Sequence, residues 1–237
     1  MKRCSCFLVV ICCPLLAQSP RYESHQDHDP DGSGKFYMGR EIALVMGHEA
    51  AGWLDRPERE TEEKTSRLLE LLAIKPGQVV ADIGAGSGYH SLRISKLVGD
   101  KGKVLAVDIQ QEMLDIIADK ASRLKLTNID RVLGKEDDPK LPKDVVDLVI
   151  LVDVYHEFSF PYEMMRGIVD GIKPKGRVAF VEFRAEDERV PIKRVHKMSE
   201  RQVVREMEPF PLKHLKTLGE LPWQHVILFE KWETPKP

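Results

Sequence analysis

The chain of 237 residues carries 36 Lys and Arg against 38 Asp and Glu, a net charge of -2, with 42% hydrophobic and 31% charged residues. That length suits one domain with additions, and the composition is globular, which excludes a wholly disordered chain and a multispan membrane protein. A slightly acidic field also excludes a nucleic-acid wrap driven by bulk charge, so no nucleic-acid partner is expected.

All four cysteines, Cys4, Cys6, Cys12 and Cys13, precede residue 14, so chemistry further along must use other groups. Residues 1–17 have a basic start, an apolar run and a small residue at Ala17, the grammar of a secretory signal. They predict export or a membrane tether, and a cytoplasmic address only if the segment is not functional. Residues 18–36 are polar and without apolar period, which predicts a flexible leader. His25, Asp27, His28 and Asp29 offer ligand atoms there, but nothing would pre-organise them, and no metal site is expected. Residues 37–58 are expected to form a cap or lid, with a short helix over residues 38–46 from Ile42, Val45 and Met46. Tyr37, Met38, Arg40, His48 and Trp53 suit either the cover of an acceptor or a purely structural cap.

The main domain is expected over residues 59–237. A charge-rich run leads into a helix with Leu68, Leu69, Leu71 and Leu72 on one face, ended by Lys75-Pro76-Gly77. From there short β-rich runs alternate with helical ones. Strands are predicted over residues 78–82, 103–108, 130–133, 145–152 and 177–183, and helices over 89–98, 111–125 and 161–170. Residues 145–152, VVDLVILV, are apolar without a break, as in a strand covered on both faces. Ser199 with Gln202 reads as a capping box for a helix ending at Met207. Residues 212–217 and 225–232 are too close together for a crossover helix and must pair antiparallel. The fold class is therefore α/β, a doubly wound, Rossmann-like, mostly parallel sheet with one antiparallel strand near its C-terminal edge.

The sharpest chemical signal is DIGAGSGY, residues 82–89, between a strand and a helix. Gly84, Gly86 and Gly88 let the backbone turn tightly and let a ligand approach the main chain. The spacing is GxGxG, with Tyr89 where a dinucleotide site wants its third glycine. The loop also opens on the carboxylate of Asp82, which repels phosphate and suits an ammonium. At the end of the next strand Asp108 can accept hydrogen bonds from a ribose diol. No Tyr is followed four residues later by Lys, so the catalytic pair of short-chain nicotinamide oxidoreductases is missing.

These motifs resemble those of class I S-adenosylmethionine-dependent methyltransferases over about residues 59 to 232: DIGAGSGY, VLAVDI, DLVILVDVYHEF and IKPKGRVAFVEF. The resemblance implies a seven-stranded sheet with one reversed strand and S-adenosylmethionine as cofactor. It implies that Asp82, Gly84, Ala85, Gly86 and Gly88 hold the methionine end, with Asp153 beside it, and that Asp108, with Ile109, holds the ribose. Asp137 would face the adenine, with Glu136 and Asp138 as neighbours able to do the same. It further implies methyl transfer to an O, N or C atom of a small-molecule acceptor. The segment Asp153-Val154-Tyr155-His156-Glu157 would line the transfer site. His156, with an ordinary pKa of about 6.5, suits a general base or a packing histidine; Tyr155 suits a stacking or catalytic role. Arg184 to His196 reads as a solvated loop near the site. A non-catalytic binder or scaffold would carry the same binding motifs. Neither the acceptor nor the oligomeric state can be read from these residues.

Overall fold

The computed structural model describes residues 21–232; the predicted export segment lies outside them. The first element is a small antiparallel sheet of three strands, β1 (Tyr22–Ser24), β2 (Gly32–Tyr37) and β3 (Arg40–Ala43), in the order β1-β2-β3. This corrects two expectations, the flexible leader, whose described part is residues 21–36, and the helix over 38–46. Ile42, Val45 and Met46 have helical spacing, but Phe36 pairs with Glu41 and Tyr37 with Arg40, and tertiary pairing overrides the local pattern. The Glu41 carboxylate ties this sheet together, accepting from the N–H groups of Asp29 and Gly34 at 3.0 Å each.

Short helices α1 (Ala51–Leu54), α2 (Arg59–Glu63) and α3 (Thr65–Leu72) lead to the main sheet. Its strands are β4 (Val79–Ile83), β5 (Lys103–Asp108), β6 (Ile129–Leu133), β7 (Val146–Val152), β8 (Ile172–Arg184), β10 (Leu212–Leu218) and β11 (Gln224–Lys231). They lie in the order β10-β11-β8-β7-β4-β5-β6, with a two-residue strand β9 (Lys197–Met198) beside β8. β11 is the reversed strand, antiparallel to both β10 and β8, as predicted.

The strand pleat sends alternate residues to opposite faces, and helices cover both. On one face Val149, Leu151, Val178 and Phe180 pack with α6 (Pro161–Gly171) and α7 (Glu200–Met207). On the other Leu148, Ile150, Ala179 and Val181 pack with α3 and with α4 (Ser91–Val98). Helix α5 (Gln111–Arg123) sets Leu114 and Ile117 against Ala85 and Ala106. The Ser199 hydroxyl accepts from the Gln202 N–H at the start of α7. The Gln202 amide, however, donates to Glu206 and the Met38 carbonyl, so this is a simple cap in place of the reciprocal box.

The small sheet is clamped onto the main domain by polar contacts, buried at Arg40 and exposed at Lys193. Arg40 donates to both Glu206 oxygens, at 2.7 and 3.2 Å, and to the His156 carbonyl at 3.2 Å. Lys35 donates to the Ser159 carbonyl at 2.6 Å and lies over the Phe160 ring. Tyr22 bonds Glu163, and Lys193 pairs with Asp31 at 2.7 Å. The predicted cap therefore begins before residue 37. Among the described residues no helix is long and apolar enough to cross a membrane.

Candidate active site

A cavity of about 530 Å³ opens at the carboxyl ends of β4, β5 and β7. That is within the usual range for small-molecule sites, and the place is where open α/β sheets bind ligands. One side is mostly backbone and the other mostly side chains.

The glycine side is made where β4 turns into α4. Gly84 has φ +67, and a Cβ there would lie 2.3 Å from the Val154 Cγ2, so the loop after β4 and the loop after β7 touch only because position 84 is bare. Gly86 has φ +53 and fits against Leu54 in the same way. The Asp108 carboxylate locks this loop, accepting from the Gly86 N–H and the Gln110 N–H at 2.9 Å each. Burial pushes the Asp108 carboxyl up, against the lowering effect of these N–H donors. Gln110 reaches back to the N-terminal cap, accepting from the His48 N–H at 2.8 Å and donating to the Met46 carbonyl at 2.9 Å.

Asp153 follows β7 with φ +51, a strained conformation for a residue with a side chain. Its Oδ2 accepts from the Gln224 amide at 3.2 Å, whereas its buried Oδ1 has no hydrogen-bond partner. Burial, then the nearby Glu63 and Glu182, push its carboxyl well up. Arg59 also lines the cavity, held by Glu63 Oε2 at 2.9 Å and the Leu54 carbonyl at 2.9 Å.

The histidine side uses residues far apart in the chain. His156, in the 3-10 turn Tyr155–Glu157, is buried, and its Nδ1 lies 2.6 Å from Glu182 Oε2 of β8. Its Nε2 lies 3.2 Å from Nδ1 of His196, in the turn Arg194–His196 after β8. Glu157 completes the group: Oε2 accepts from the Met46 N–H at 3.3 Å, and Oε1 lies 3.9 Å from His156 Nε2 and 3.7 Å from His196 Nδ1. Burial lowers His156 and His196 to about 4 each and raises Glu182 to about 8. Both shifts have one cause, the loss of water around a charge.

Of the residues predicted for the cofactor, Gly84, Gly86, Asp108, Ile109 and Asp153 line the cavity. Asp82 does not; it is buried behind the loop, its Oδ2 accepting from the Ser91 hydroxyl at 2.6 Å, and burial pushes it up to about 6. Ala85 and Gly88 also stand off the wall, facing Ile117 of α5. Asp137 is exposed outside the cavity, while Glu136 and Lys135 are on the wall. Tyr155 is corrected outright as a site residue. Its ring is fully buried against Phe158 and Phe180, and its hydroxyl donates to Glu206 at 2.7 Å, away from the cavity.

Arg59, Gln110 and Glu182 line or brace the site without having been foreseen, and His196 was foreseen only as the end of a solvated loop. One signal was available: Glu182 interrupts the apolar run VAFVEF, and a carboxyl in a central strand must have a partner. Two acidic residues, Asp153 and Asp108, thus meet bare glycine backbone on one wall of the cavity.

A sequence model of the methyltransferase domain family matches residues 74–226. Among curated proteins, the chain is 29% identical over 110 residues to the ubiquinone/menaquinone biosynthesis C-methyltransferase UbiE of Vibrio vulnificus, covering 46% of this chain and 42% of that one. The corresponding protein of Azotobacter vinelandii is 28% identical over 116 residues, covering 48% and 46%. The chain thus matches less than half the length of these relatives. Among solved structures, a SAM-dependent methyltransferase from Aquifex aeolicus superposes with a TM-score of 0.74 at 24% identity, over 79% of this chain and 100% of that one, a likeness of fold.

Proposed function

Because the chain belongs to the methyltransferase domain family, we propose that it transfers the methyl group of S-adenosylmethionine to a small-molecule acceptor held in this cavity. The observation that carries this reading is one cavity at the strand ends whose wall brings Gly84, Gly86, Asp108 and Asp153 together. Gly84, Gly86 and Asp153 would hold the methionine part, with Arg59 within the same wall. Asp108 and Ile109 would hold the ribose, and Glu136, in place of Asp137, would face the adenine. The cofactor supplies, when bound, an electrophilic methyl group on a sulfonium.

What the chain contributes is alignment and dryness. The close contact of Gly84 with Val154 keeps the two strand-end loops in one register. Met46 and Trp53 from the N-terminal cap, and Ile192 after β8, cover the cavity. His156, oriented by Glu182, stands on the acceptor side of the cavity wall. The relatives' name puts quinol-like compounds first among acceptors to try. Export or tethering through residues 1–17 stands beside this as a separate proposal, tested by fractionating cells that produce the full chain.

The test is formation of S-adenosylhomocysteine from S-adenosylmethionine with quinols, phenols and amines as acceptors. Turnover with one class supports the reading. His156→Ala should then lower the maximal rate at least about 10²-fold, as for loss of a group at the reacting atoms. Tight cofactor binding with no turnover on any class would favour a non-catalytic binder.

A further inference from the structure

Three side chains on the cavity wall, His156, Glu157 and His196, bring one ligand atom each within 4.8 Å of one another. The His156 Nε2, His196 Nδ1 and Glu157 Oε1 atoms form a triangle with sides of 3.2, 3.9 and 3.7 Å. A tetrahedral set with bonds of about 2.0–2.2 Å to its metal has edges of about 3.4 Å, so one ion can meet all three atoms with little movement. They come from two turns that pack together, after β7 and after β8, so neither segment makes the triangle alone.

We propose that His156, His196 and Glu157 bind a divalent transition-metal ion on the acceptor side of the cavity. Two imidazoles and one carboxylate are the donor set of catalytic zinc and non-haem iron sites, which keep a position open for substrate or water. The surroundings fit. Glu182 at 2.6 Å takes the Nδ1 side of His156 and leaves Nε2 for the ion, the carboxylate-histidine-metal arrangement. The Met46 N–H holds Glu157 by Oε2 and leaves Oε1 directed at the imidazoles. Among the described residues, this is the group of His, Asp and Glu side chains whose ligand atoms converge within 4.8 Å. The open position faces the cavity, where it takes an oxygen of the acceptor. The ligand class is therefore an acceptor with a hydroxyl or carboxylate oxygen, which a Lewis acid binds and polarises.

The proposal goes beyond methyl transfer, and its test reads metal binding alone, so either idea can fail without the other. The full chain, stripped with a chelator, is titrated with Co²⁺ and followed by visible absorption. The wild type should take up one equivalent with the bands of nitrogen and oxygen ligation. His196→Ala should lose that equivalent, and Glu182→Gln should bind it about 10- to 100-fold more weakly, the usual effect of removing an outer partner. His28→Ala, in the histidine-bearing N-terminal sheet, should bind as the wild type does. If His196→Ala keeps the equivalent, or if the signal tracks His28 or shows only thiolate ligation by the N-terminal cysteines, the proposal fails. Should a variant misfold, X-ray absorption at the zinc edge of the zinc-loaded wild type decides: two imidazoles with oxygen support the site, sulfur ligation overturns it.

Discussion

The two sides of the cavity are built on different plans. The glycine side comes from one short loop, through Gly84 and Gly86, locked by one carboxylate at the end of the next strand. The histidine side comes from residues 156, 157, 182 and 196, and it is held in place by a sheet from the other end of the chain. A backbone site is written in one motif; a side-chain site is written in contacts. The first should therefore fail by local change and the second by distant change.

The largest expected effect breaks the histidine side from afar. Arg40 and Glu206 form a buried pair at 2.7 Å, and Arg40 also holds the carbonyl of His156. Arg40→Met leaves the Glu206 carboxylate uncompensated, with only Tyr155 and Gln202 as donors, and should cost about 3–5 kcal/mol. Urea denaturation measures it. Adding Glu206→Gln should recover a good part, because the buried charge is then gone; no recovery would mean that the pair is not the clamp.

A somewhat smaller loss should break the glycine side locally. Gly84→Ala puts a methyl group 2.3 Å from Val154 and holds an L-residue at φ +67, which together should cost about 2–4 kcal/mol. With Val154→Ala the steric share should return and the backbone share remain. A Gly84→Ala protein of unchanged stability would show that the two strand-end loops do not touch as described.

The smallest of the three concerns Asp82 and carries a sign. Its folded pKa of about 6 lies above the ordinary 3.8, so between those values the folded chain binds more protons than the unfolded one. Its contribution to stability therefore falls as pH rises from about 4 to about 6, then levels off. Asp82→Asn should reduce that slope and gain roughly 1–3 kcal/mol at pH 7. Melting curves across this range check it, and an unaltered slope would mean that Asp82 is ionised throughout.

How much of this was legible follows the same division. The doubly wound sheet and its reversed β11 could be read because the inner strands are local apolar runs and Gly or Pro marks the turns at 76–77, 84–88 and 174–176. Gly84, Gly86 and Asp108 could be read because a tight turn at positive φ needs glycine and its lock lies at the end of the next strand. Asp82 was misplaced onto the wall because a motif gives a residue's neighbourhood in the chain, not which way its carboxyl turns. Tyr155 was misplaced for a like reason, since two adjacent residues of one turn point to opposite sides. The N-terminal sheet was missed because β2, GSGKFY, has little apolar content of its own and is made a strand by its partners. His196 joins the site only through the packing of two turns, for which no spacing in the chain is a sign.

Calorimetric titration of S-adenosylmethionine into the wild type, Asp108→Ala and His196→Ala tests the division most directly, with folding of each checked by its melting curve. The two-sided account predicts that Asp108→Ala weakens binding by about 1.5–3 kcal/mol, roughly 10- to 150-fold, while His196→Ala stays within about threefold of the wild type. Equal losses in both variants, or a loss confined to His196→Ala, would contradict it.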